Sequence, residues 1–148
     1  MNKTLLIGFK GKNNLSGVMV KELGRDYCLL TNSFGGVKRD IDAVDGTYDS
    51  AVLFGVDKKL DGTVRIERAA EKDGILCSSA LDLEEMAEDF RKTGLEVKVS
   101  GNPTAYLCNE AYWYLLQKFS GRAVLIHIPT MKNADETFVK KVQQAVSF

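Results

Sequence analysis

Hydrophobic positions along the chain follow two rhythms. Short apolar runs occur at Lys3–Phe9, Tyr27–Thr31, Ser50–Val56 and Arg122–Ile128, as expected for strands covered on both faces. Thr63–Glu67 and Leu95–Val99 alternate apolar with polar, as half-exposed strands do. Between these runs the spacing turns helical. Leu83, Met86, Ala87 and Phe90 define one face, Asp82 with Glu85 predicts the helix start, and Gly94 predicts its end. A second helix is predicted from about Ala105 to Phe119, with Cys108, Ala111, Tyr112, Leu115 and Phe119 on one stripe. A third, from about Ala134 to Ala145, turns Phe138, Val142 and Ala145 inward, and shorter helices are predicted at Leu15–Leu23 and Val37–Val44. Strands alternating with helices imply an α/β protein: a single-domain three-layer α/β/α sandwich over 1–148 with a largely parallel, mixed central sheet.

Composition narrows the chemistry. The 148 residues carry 20 Lys+Arg against 20 Asp+Glu, and this neutrality argues against a nucleic-acid partner, which needs clustered cations. No run is long enough to span a membrane, and the opening residues are too few for a signal peptide. Cys28, Cys77 and Cys108 are odd in number and far apart, which predicts free thiols and a cytoplasmic location. A single histidine and no Cys-x-x-Cys pair leave no usual zinc site, so neither metal nor cofactor is expected. Gly8, Gly11 and Gly17 do not form a dinucleotide-binding pattern. Asp57–Gly62 with Glu67 looks like a calcium loop but has Lys59 at the third position and Arg68 at the last. Leu60–Thr63 is read instead as a tight turn between two strands, and Ser33–Gly36 as a loop.

Two side chains stand out. Cys108 falls near the start of the second predicted helix, where unpaired N–H groups and the helix dipole favour a thiolate. His127 ends a buried strand, at the edge where open α/β sheets place their sites. The helix runs back antiparallel to that strand, so the two ends share one edge of the sheet. The bland reading is a small core thiol and a hydrogen-bonded buried histidine. A catalytic pair needs a third group to orient the ring, and Glu67, ending an alternating strand, is the candidate. Cys28 and Cys77 have no imidazole to pair with and read as structural. Tyr112, Trp113 and Tyr114 point in different directions on a helix, which leaves a homo-oligomer contact at an exposed Trp113 open.

Tyr106-Leu-Cys108-Asn109, followed by Ala123-Val-Leu-Ile-His127-Ile-Pro129, resembles the pyroglutamyl peptidase I (pyrrolidone-carboxylate peptidase) family, with its Y-x-C-N nucleophile motif and its histidine in a strand ending H-[VI]-P. Glu67-Arg68-Ala69-Ala70 is similar to that family's E-R-x-A segment. Leu6–Phe9 and Phe54–Val56 are similar to the ends of its first and third strands. The resemblance implies a cysteine exopeptidase that removes N-terminal 5-oxoproline from a peptide or small amide without a metal. Cys108 would be its nucleophile, His127 its proton carrier and Glu67 its third residue, with Phe9, Gly55 and Asn109 at the substrate.

The chain also departs from the family pattern. Where the family has F-x-x-F-G-G, this sequence reads Phe9-Lys-Gly-Lys-Asn13, and Pro103-Thr104 replaces the Ala-Gly before the nucleophile motif. Lys72 stands in place of an asparagine, and the long polar segment after it is nearly absent, with Asp73–Ala80 leading straight into the next helix. These changes frame a second expectation, a non-catalytic small-molecule or peptide-binding relative that kept the fold and lost the lactam pocket. A redox-sensing thiol is a third, weakened by the lack of a nearby resolving cysteine.

Overall fold

In a computed structural model the protein is described over residues 3–146, so the outermost positions of the expected 1–148 domain lie outside the described residues. Four predicted runs pair in parallel: β1 (Thr4–Phe9), β2 (Tyr27–Leu30), β3 (Ser50–Val56) and β8 (Ala123–Ile128). Two more, β4 (Thr63–Glu67) and β7 (Glu96–Ser100), run parallel to each other and antiparallel to β8. The order β2-β1-β3-β8-β4-β7 makes one mixed, largely parallel sheet of six strands. The Leu60–Thr63 segment leads from β3 into β4 as expected, but β8 lies between these two strands, so they do not pair with each other.

Period-two alternation assigns the two faces. Val52 and Phe54, Val64 and Ile66, and Val124 and Ile126 face α1 (Leu15–Glu22), α3 (Leu83–Lys92) and α5 (Glu136–Ala145). Ala51 and Leu53 with Ala123 and Leu125 face α2 (Phe34–Asp42) and α4 (Tyr106–Lys118). Large side chains such as Phe54, Phe90 and Tyr112 are fully enclosed, each worth about 1.5–3 kcal/mol of transfer free energy. The result is the three-layer α/β/α sandwich. By the same alternation Gly55, Arg65, Glu67 and His127 fall on the α4 face, toward its first turn.

Local chemistry explains where the element ends fall. Asp82 caps α3 through its carboxylate, which accepts from the Glu85 N–H at 3.0 Å. Ser33 is not in a plain loop: its hydroxyl accepts from the Gly36 N–H at 3.0 Å and starts α2 three residues earlier than expected. Asp135 caps α5 in the same way, after a short 3-10 turn at Met131–Asn133.

The largest departure from expectation is a hairpin. β5 (Ala69–Lys72) and β6 (Ile75–Ser78) pair antiparallel where the sequence was read as running straight into α3. Their turn, Asp73-Gly74, has φ of 52° and 78°, the left-handed pair that a two-residue hairpin requires. Hydrogen bonds and an ion pair dock this hairpin on α4. The Asn109 side chain accepts from the Glu71 N–H at 3.0 Å and donates to the Glu71 carbonyl at 2.7 Å. Lys72 pairs with Glu110 at 2.8 Å. The Tyr112 hydroxyl donates to the Glu67 carbonyl at 2.8 Å, just ahead of β5.

Candidate active site

Cys108 is the third residue of α4, and the sheet edge beneath it is floored by Gly55. A methyl group on Gly55 would stand 2.7 Å from Cys108 Sγ and 3.3 Å from His127 Nε2. Sulfur and imidazole therefore converge on one small space, kept open because residue 55 has no side chain. Parallel pairing sets Gly55 beside His127, and α4 brings the thiol over both. The shared sheet edge expected from topology is what the fold provides.

Glu67 is buried, with 1% of its surface exposed, and its Oε2 lies 3.8 Å from His127 Nδ1. That is an ion-pair distance rather than a hydrogen bond. Arg65 lies closer. The β4–β8 register sets Arg65, not Glu67, directly across from His127. Its Nε donates to Glu67 Oε1 at 2.7 Å, and its Nη2 donates to Asp57 Oδ2 at 2.8 Å while lying 3.3 Å from His127 Nδ1. Sequence reasoning missed both Arg65 and Asp57. The signal was available, since Thr63–Glu67 alternates and so puts Arg65 on the face of Glu67.

Electrostatics correct one expectation. Burial, and then the charges of Asp57 and Glu67, push the Cys108 thiol up to about 11, so position at a helix start does not make it a ready thiolate. Burial also works to raise the Asp57 carboxyl, but hydrogen bonds from the Lys59 N–H and Arg65 outweigh it and leave Asp57 below the usual carboxylate range.

These groups line a cleft of about 740 Å³, walled by Val56, Asn102, Thr104 and Leu107. Tyr106 stands at its rim, 84% exposed, with φ of 71°, a left-handed conformation that costs a non-glycine residue about 1–3 kcal/mol. Among the described residues, Thr104 Oγ1 is a buried side-chain oxygen with no hydrogen-bond partner.

Two expected substrate residues are placed elsewhere. Phe9 is buried in the core against α2 and α4 and is not in the cleft wall; nor is any residue of the loop that follows it. Asn109 is spent on the β5 backbone. Trp113, whose exposure would have marked a possible subunit contact, is half-buried against the same core. Cys28 and Cys77 are free thiols away from the cleft. Among the described residues no cluster of metal-ligating side chains occurs, and no helix is long and apolar enough to cross a membrane.

No family model and no curated protein matches the sequence. Solved structures do match. Pyrrolidone carboxyl peptidase from Thermococcus litoralis superposes with a TM-score of 0.76 at 18% identity, covering 99% of this chain and 92% of that one. Pyroglutamyl peptidase I from Bacillus amyloliquefaciens gives 0.78 at 18% identity, over 98% and 95% of the two chains. The pyrrolidone carboxyl peptidase of Thermus thermophilus gives 0.78 at 16%, over 97% and 96%. Nearly the whole chain therefore adopts the fold of the pyrrolidone carboxyl peptidases.

Proposed function

We propose that the protein is a cysteine peptidase or amidase that removes N-terminal 5-oxoproline from peptides. The observation that carries this reading is the convergence of Cys108 Sγ and His127 Nε2 on the bare Cα of Gly55, at the floor of an open cleft. The shared fold supports it.

The chemistry follows from the groups present. With burial holding its thiol near 11, Cys108 is protonated at neutral pH, so its proton has to leave during attack. As Sγ bonds to the pyroglutamyl carbonyl carbon, the proton passes to His127 Nε2. The first-turn N–H groups of α4, which have no side-chain cap, are left to bind the developing oxyanion. His127 then hands its proton to the departing amine, leaving a thioester on Cys108. Water, giving a proton to His127, hydrolyses that thioester and releases 5-oxoproline and the free thiol. Glu67 opposes the positive charge that the ring acquires, and Thr104 Oγ1 offers the substrate an unused hydrogen-bonding group.

A chromogenic pyroglutamyl amide tests the proposal. Wild-type protein is expected to release the chromophore, and folded Cys108→Ala and His127→Ala variants are expected not to. Wild-type protein that binds small lactams but turns over neither this amide nor its relatives would be a non-catalytic binding module instead.

A further inference from the structure

His127 has two ring nitrogens with different neighbours. Nε2 borders the space shared with Cys108, and Nδ1 has both a carboxylate and a guanidinium within reach. A general base needs a lone pair on Nε2, so the neutral ring must carry its proton on Nδ1. Glu67 Oε2 would hold that proton, but it is 3.8 Å away. Arg65 Nη2 is nearer, at 3.3 Å, and a guanidinium only donates. An N–H directed at Nδ1 makes Nδ1 the acceptor and puts the ring proton on Nε2, facing the thiol.

The rest of the guanidinium is arranged to keep it there. Its Nε–H is taken by Glu67 at 2.7 Å. One Nη2 proton goes to Asp57 at 2.8 Å, leaving the other for Nδ1. Burial works against the Arg65 charge, but the hydrogen bonds it donates to Asp57 and Glu67 outweigh it, so the cation is held firmly. The placement is built into the backbone, because Arg65 is the register partner of His127 across β4 and β8.

We infer that Arg65 is a positioning residue that selects the His127 tautomer, holding the free protein in a latent form with Nε2–H toward Cys108. In this form the imidazole cannot accept the thiol proton. Activation requires Nη2 to leave Nδ1, upon which the ring proton moves from Nε2 to Nδ1 and Glu67 accepts it. This inference rests on the proposed hydrolysis for its consequence, but its physical content is a proton position that can be read without any substrate.

The chain has one histidine, so ¹⁵N-histidine labelling gives one pair of ring signals. In neutral, substrate-free wild-type protein, Nε2 is expected to be protonated and Nδ1 to appear as a bare acceptor. In Arg65→Met the assignment is expected to reverse, because Glu67 becomes the only partner of Nδ1. In Glu67→Gln it is expected to stay as in wild type, because Arg65 still faces the ring, so this variant decides the matter if Arg65→Met does not fold. A wild-type spectrum with Nδ1 protonated overturns the inference, as does a Glu67→Gln variant that changes tautomer while Arg65→Met does not. Turnover of the pyroglutamyl amide by a protein with Nδ1 protonated would refute this role for Arg65 and leave the proposed function standing. The predicted tautomer without turnover would do the reverse.

Discussion

Replacing Gly55 with alanine should disable the site while leaving the fold intact. The added methyl would meet Cys108 Sγ at 2.7 Å, against 3.4–4 Å for ordinary contact, so the sulfur or the strand must move by roughly 0.7–1.3 Å. It would also touch His127 Nε2 and Cδ2 at 3.3 Å, which is tight but tolerable after small shifts. Forcing a methyl into packed surroundings costs about 1–3 kcal/mol, offset by about 0.5–1 kcal/mol because alanine suits a strand interior better than glycine. A net loss of about 1 kcal/mol is expected in chemical denaturation. The effect on catalysis should be larger, since displacing a nucleophile by about 1 Å costs on the order of 100-fold in rate. A double-mutant cycle isolates the cause. In a Cys108→Ala background the 2.7 Å contact no longer exists, so Gly55→Ala should become nearly neutral and the two changes should couple by about 1 kcal/mol. Additivity within about 0.3–0.5 kcal/mol would show that the thiol does not lie over Gly55 and would refute the geometry of the site.

The Cys108 thiol should resist alkylation at neutral pH and react progressively faster as the pH approaches about 11, a profile read from iodoacetamide rates with Cys28 and Cys77 replaced by serine; an inflection near 7 would contradict the buried, carboxylate-flanked environment. The same proton affects stability. The unfolded thiol ionises near 9.0, while the folded one holds its proton to about 11, so this contribution is complete below 9 and is lost as pH rises through 11. It amounts to roughly 3 kcal/mol, measured as the difference between wild type and Cys108→Ser in denaturation at pH 8 and at pH 11 or above. Asn109→Ala should remove both hydrogen bonds to the Glu71 backbone and cost about 1–2 kcal/mol, with faster amide exchange across 69–78; unchanged protection there would mean that Asn109 does not clamp the hairpin.

The parts of the fold that were legible in the sequence are those with strong periodicity. Ser50–Val56 and Thr63–Glu67 are strands with the expected bounds, and the Leu83–Phe90 face starts at its predicted Asp82 cap. The β5–β6 hairpin escaped because its strands are only four residues long and neither alternates cleanly, although Asp73-Gly74 carried the turn signal. Strand order was less accessible, since β8, the last strand in the chain, inserts between β3 and β4 by long-range pairing that no local pattern encodes.

The site divides along the same line. Cys108 and His127 could be brought together by reasoning over one helix, one turn and one strand. Arg65 reaches the ring through the antiparallel β4–β8 register, which could not be known before the strand order was. Phe9 and Asn109 were carried over from a motif, and both are claimed by packing: one fills the core and the other holds a hairpin whose existence the sequence reading did not include.

The most direct test of a Cys108-centred hydrolase is intact-mass spectrometry of the protein quenched during turnover of a pyroglutamyl amide, followed by peptide mapping. A hydrolase of this kind predicts a chain heavier by one pyroglutamyl group, carried as a thioester on the Cys108 peptide and absent from Cys108→Ala. Turnover that persists in Cys108→Ala, or an adduct mapped to Cys28 or Cys77, would contradict it.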